Sequence, residues 1–223
     1  MNYELIKDIQ TPVIDKLLQV HTLKTKEGTI INDTLTKGQK IIMECIVTRK
    51  SPTPEQLNRI HIECITRYGK SMCIGAAVAM RVNAKADPWA IVAPTQDKAQ
   101  IILDYAIQFA TNDPIMRANL ILSQPEQDAI DKLKEHKSKD HVTFKRGGEI
   151  RAFSAGQKSS SNRSSGDALM GFGSKNVIED ECYLIDDQTH SKVIRMLGDS
   201  PHDNFLIKIG NPWNRGHGYV SVS

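Results

Sequence analysis

No run of about 18 apolar residues occurs in the chain, so the sequence predicts no membrane-spanning helix and no membrane partner. The polar start "MNYELIKDIQ" lacks the apolar core of a secretory signal. A cytoplasmic location is the expectation that follows. Cysteine is sparse as well. Cys45, Cys64, Cys73 and Cys182 are scattered without C-x-x-C spacing, which argues against a zinc site and a disulfide framework and predicts four buried thiols. An excess of charge of one sign is also missing: the net charge is +3, which neither announces nor excludes nucleic acid. No internal repeat is visible.

What is present suits a globular enzyme-sized domain. With 223 residues, 39% hydrophobic and 25% charged, the chain can bury one α/β core or at most two small ones. Residues 3–22 read as an amphipathic segment interrupted at Thr11-Pro12, where Thr can cap and Pro can open a helix. "TKGQKIIMECIVTRK" (36–50) reads as a helix. "RIHIECI" (59–65) reads as a strand, "DPWAIVAPT" (87–95) as a strand buried on both faces, and "QDKAQIILDYAIQFA" (96–110) as a helix. An irregular helical stretch fills 113–139. Its basic run "DKLKEHKSKD" reads as a solvated helix face.

"HVTFKR" and "EIRAFSA" then form a hairpin around Gly147-Gly148, and "GQKSSSNRSSG" is a loop by composition. "NVIEDE" (176–181) and "NFLIKIG" (204–210) are strands, with a helix from about Asp187 to Leu197 between them. The expected fold is a largely parallel sheet flanked by helices on both faces with a β-hairpin insertion, its ligand at the carboxyl ends of the strands.

Between the first strand and the helix "SMCIGAAVAMRVNAK" lies "CITRYGKS". Its Gly69, Lys70 and Ser71 fit the end of G-x-x-x-x-G-K-[ST], a loop in which backbone N–H groups cradle phosphates, the Lys reaches the terminal phosphates and the hydroxyl ligates Mg²⁺. Cys64 stands where the first Gly belongs. The bare tripeptide also occurs in ordinary strand–helix turns, but here it sits at a helix N-terminus, where unpaired amides favour an anion. A second signal lies downstream. "NVIEDE" ends in Asp180-Glu181, a pair suited to holding the Mg²⁺ shell and to activating water, while Glu179 interrupts an otherwise apolar run. An acidic turn after a strand is the plainer alternative. The order of the two signals favours a nucleotide hydrolase.

Several segments in order resemble the ATPase domain of the large terminase subunit, the DNA-packaging motor of tailed bacteriophages: "TKGQ", "TRYGKS", "IVAPTQDKA", "GGEIRAFSAG", "LMGFGSKNVIEDE" and "IKIGNPWNRGHGY". The resemblance spans roughly residues 36–223, leaving 1–35 as an N-terminal helical arm, and implies a phosphate-loop NTPase of the RecA-like type. It implies ATP and Mg²⁺ as ligands, with Gln39 reading adenine, Arg67 through Met72 (Tyr68 included) forming the phosphate loop, Ser71 and Asp180 holding the metal, and Glu181 as base. Asn211 senses the γ-phosphate, or is simply a polar turn residue before Pro212. Relatives often place an Arg four residues before the Lys, whereas Arg67 is three before Lys70, and many have Arg where this chain has Met170. Arg163 in "SSSNRSSG" is the candidate for an arginine supplied to a neighbouring subunit.

The implied partners are double-stranded DNA, a portal protein, a small terminase subunit and copies of the chain in a ring, in the host cell cytoplasm. No nuclease is expected of a chain that stops after "GHGYVSVS". A helicase-like translocase and a nucleotide-dependent switch module with little turnover are the open alternatives.

Overall fold

The computed structural model describes residues 8–52, 58–121, 140–156, 169, 171–197 and 203–211. The basic run at 131–139, Arg163, Met170 and the segment from Pro212 onward therefore lie outside the described residues.

Among the described residues, six strands form one sheet: β1 (Arg59–Glu63), β2 (Pro88–Ala93), β3 (His141–Thr143), β4 (Glu149–Ser154), β5 (Asn176–Asp180) and β6 (Phe205–Gly210), in the order β1-β6-β5-β2-β4-β3. Every pair is parallel except β3 with β4. The expected hairpin is present around Gly147, whose φ of +91° suits glycine. Its second strand is also a member of the parallel sheet, paired with β2, so the hairpin forms the sheet's edge.

Among the described residues, the α-helices are α1 (Pro12–Val20), α2 (Lys37–Thr48), α3 (Lys70–Ala84), α4 (Gln96–Asn112), α5 (Pro114–Asn119) and α6 (Asp187–Leu197). Alternation along the strands supplies two cores. Trp89 and Ile91 of β2, Ile178 of β5 and Phe205, Ile207 and Ile209 of β6 face the core shared with α1 to α5. Ala90, Val92, Val177 and Leu206 face the opposite one, closed by Val193 and Leu197 of α6. Strands apolar on both sides are what parallel sheets covered by helices require.

The entry of α1 differs from expectation. Pro12 opens the helix, but Thr11 makes no side-chain cap; its hydroxyl donates to Asp15 Oδ2 at 3.0 Å. The orphan amides of the first turn go to Glu44 of α2 instead, with Ile14 N donating to Oε2 at 2.6 Å and Val13 N to Oε1 at 3.3 Å. A carboxylate is a stronger acceptor than a hydroxyl and suits the positive end of the helix dipole. Ile14 and Leu23 pack into the same core as the sheet.

The cysteines also divide. Cys45 and Cys73 are buried as expected, but Cys64 and Cys182 are only partly so, because each sits just past a strand end. Burial nonetheless pushes the thiols of Cys64 up to about 11 and of Cys182 up to about 12, so neither presents a thiolate near neutrality.

Helices α3 and α4 touch at Gly75, where an added methyl carbon would lie 2.6 Å from Tyr105 Cβ and 2.7 Å from the Ile102 carbonyl oxygen. Gly75→Ala improves helix propensity by about 1 kcal/mol, but overpacking costs typically 1–3 kcal/mol. Backbone on the far side leaves little room to yield, so overpacking wins. Urea unfolding is expected to show a net loss of up to about 2 kcal/mol; a stabilised variant would contradict this packing.

Candidate nucleotide site

The carboxyl ends of β1, β6 and β5 deliver three loops to one edge of the sheet. From β1, the chain runs through 64–69 into α3. Cys64 N donates to Gly210 O at 3.0 Å, extending the β1–β6 ladder one residue into the loop. Gly69 caps α3 with φ +84°, a left-handed conformation that a Cβ would disfavour. Lys70 and Ser71 begin the helix, and Lys70 Nζ donates to Asn211 Oδ1 at 2.6 Å across 141 residues of sequence. Met72 is half-buried against the core, while Arg67 is exposed with φ +61°.

Gln39 and Tyr68 serve the loop's shape. Thr36 and Gln39 make a capping box: the Thr36 hydroxyl accepts from Gln39 N at 3.3 Å and Gln39 Oε1 accepts from Thr36 N at 2.8 Å. Gln39 Nε2 donates to Tyr68 O at 2.8 Å. The Tyr68 hydroxyl lies 3.0 Å from Thr36 Oγ1, over Gly38, where a Cβ would come within 2.2 Å of it. The start of α2 thus clasps the phosphate loop. Gln39 keeps one N–H and one lone pair uncommitted by these bonds. Thr36 went unnoticed in the sequence, although S/T-x-x-Q ahead of an apolar run is a capping signature.

Asp180 and Glu181 stand where β5 ends. Asp180 is 4% exposed and its Oδ1 has no hydrogen-bond partner among the described residues. Burial raises its carboxyl to about 6, partly offset by the Glu181 amide and by Lys70. A buried carboxylate oxygen with nothing to accept from suits a hard cation, and no group of three or more His, Cys, Asp or Glu that could itself hold a metal ion occurs among the described residues. One carboxylate plus a hydroxyl fits Mg²⁺, which keeps waters and takes its remaining oxygens from substrate phosphates. Asp180 could supply that carboxylate, and Ser71, in the first turn of α3, the hydroxyl.

Glu181 has φ +48°, and its carboxylate is ion-paired with Lys98 in the first turn of α4. Lys98 was not singled out in the sequence. Only the adjacency of β2 and β5 brings α4's start to the acid pair, and strand order is not written in local periodicity.

The other face of β5 accounts for Glu179. It is 1% exposed, yet His190 Nδ1 lies 2.8 Å from its Oε1, and Lys208 Nζ lies 3.0 Å from His190 Nε2. Lysine can only donate, so Nε2 accepts and Nδ1–H donates to the carboxylate. Lys208 also approaches Glu179 Oε2 at 3.9 Å. Glu179 is a paired residue of the opposite face, pointing away from the nucleotide edge.

A glycine-lysine-serine loop at a strand–helix junction, an acid pair on a strand separated from it by β6, and helices on both faces define a phosphate-loop protein of the RecA-like type. The chain belongs to the family described as terminase large subunit, T4likevirus-type, N-terminal, whose profile matches residues 66–222. Solved structures agree on the fold. The large terminase of bacteriophage HK97 aligns over 91% of this chain and 38% of its own, with a TM-score of 0.59 and 14% identity. The large terminase of a thermophilic bacteriophage, in complex with ADP, aligns over 80% and 39%, at 0.54 and 14%. The UvsW helicase from bacteriophage T4 aligns over 94% and 63%, at 0.51 and 13%. The chain thus spans about two-fifths of the length of these terminases. Among curated proteins, none is similar enough in sequence to count as a match. No helix among the described residues is long and apolar enough to cross a membrane.

Asp180 yields a prediction. Its folded value of about 6 lies above the ordinary 3.8, so the fold holds this proton more tightly than the unfolded chain does. The contribution favours folding below 3.8 and is lost as pH rises through about 6. Asp180→Asn removes that titration. Without divalent cation or nucleotide, the variant is expected to gain on wild type by up to about 3 kcal/mol between pH 4 and pH 7. Urea unfolding at the two pH values checks this; an equal difference at both would contradict the buried, unpaired carboxylate.

Proposed function

We propose that the chain hydrolyses ATP with Mg²⁺ and that this drives double-stranded DNA into a viral procapsid. The observation that carries the reading is the convergence of Lys70, Asn211, Asp180 and Glu181 at one sheet edge, with Lys70 bonded to Asn211, in a member of the large terminase family. The roles follow from chemistry. The Gly69 amide and Lys70 hold the phosphates, and Ser71 and Asp180 would hold Mg²⁺, which supplies charge neutralisation between phosphate oxygens. Glu181 accepts the proton of the attacking water. Arrival of a γ-phosphate competes with Asn211 for Lys70 and so gives Asn211 a means of sensing it.

Gln39 has one donor and one acceptor left for the adenine edge, on an amide already anchored to the loop. Arg67 is placed in the loop as a cis cation, and Arg163 is assigned to a neighbouring subunit in a ring of copies. The portal protein and the small terminase subunit are the assembly partners of this reading, in the host cell cytoplasm. Its two parts are an N-terminal arm, 1–35, and the ATPase domain, 36–223.

A helicase-like translocase shares the fold, as the UvsW likeness indicates. The ion pair on Glu181 favours a second reading, a switch module with little turnover, since the base is engaged.

Steady-state hydrolysis separates these. Glu181→Gln is expected to keep nucleotide binding while cutting turnover by ~10² to 10⁴, the usual worth of a general base. Lys70→Ala is expected to weaken both, measured by calorimetric titration alongside the rate. Unchanged turnover in the first variant, or unchanged affinity in the second, would remove the assigned role.

A further inference from the structure

The ion pair between Lys98 and Glu181 gives the first turn of α4 a function. Thr95 caps that turn by accepting from Lys98 N at 3.4 Å, and α4 follows directly from β2, the strand beside β5. Lys98 also lies near enough to Asp180 to favour its charged form. Glu181 holds a left-handed backbone that a non-glycine residue rarely adopts, and in that conformation its carboxylate meets the Lys98 ammonium. A base must offer a lone pair to water, and an ammonium on the same carboxylate competes for it. The two side chains are 38% and 27% exposed, so the pair is weak enough to open.

We propose that Lys98 is a positioning residue that restrains Glu181 and keeps hydrolysis slow until α4's first turn and the end of β5 separate. The proposal rests on Glu181 being the base. Lys98 itself transfers no proton.

The test compares Lys98→Met, which keeps length and removes charge, with Lys98→Arg, which keeps charge. Lys98→Met is expected to raise basal kcat for Mg·ATP by about 2- to 5-fold, the scale of an exposed ion pair. KM is expected to stay within about two-fold. Lys98→Arg is expected to match wild type, and both variants to remain folded, with Lys98→Met losing in urea unfolding no more than the weak pair contributes. In a Glu181→Gln background, Lys98→Met is expected to add nothing, because no carboxylate is left to release. A folded Lys98→Met variant with equal or lower kcat, or one whose gain survives Glu181→Gln, would overturn the proposal. If Glu181→Gln alone retained full turnover, the functional reading of Glu181 would fall first. A dead Glu181→Gln with no gain from Lys98→Met removes only the restraint.

Discussion

Parallel pairing of β6 with β1 on one side and β5 on the other is the constraint on which the site depends. The register sets Glu63 beside Gly210 and Asp180 beside Ile209, so three strands end together. The Cys64 amide continues the ladder onto Gly210, fixing where the phosphate loop departs. A slip of one residue would send every side chain of a strand to the other face. Register and packing are therefore one constraint: the same alternation that buries Ile207 and Ile209 opposite Leu206 also brings Lys70 and Asn211 into contact.

Adjacent residues of β5 illustrate how a sheet separates structure from chemistry. Glu179 and Asp180 are both almost fully buried and point to opposite faces. Glu179 is satisfied by His190, itself in contact with Lys208, which ties β5 to β6 and α6. Asp180 keeps an oxygen with no partner among the described residues. A buried polar atom without a partner costs stability, and its persistence beside a glycine-lysine-serine loop is what a cation and a phosphate would compensate.

Much of this was legible from periodicity. The apolar run at 87–95, read as a strand buried on both faces, is β2, the run at 204–210, read as a strand, is β6, and the helix expected from Asp187 to Leu197 is α6. The loop at Gly69–Ser71 and the acids at 180–181 were recognisable because a motif needs residue types at fixed local spacing. Contacts set by strand order were not: Lys98 on Glu181, Gln39 on the Tyr68 carbonyl and His190 on Glu179 join segments that only the tertiary fold brings together. Thr11 read as a cap because Thr-Pro favours one locally, yet a carboxylate from α2 took the amides.

The most direct measurement is a crystal structure of the chain with Mg²⁺ and a non-hydrolysable ATP analogue. The account predicts terminal phosphates against the amides of Gly69 to Ser71, Lys70 Nζ turned from Asn211 to a phosphate oxygen, and one cation shared by Ser71, Asp180 and the phosphates. Nucleotide bound elsewhere, or phosphates in the loop with Asp180 facing away from the cation, would contradict it.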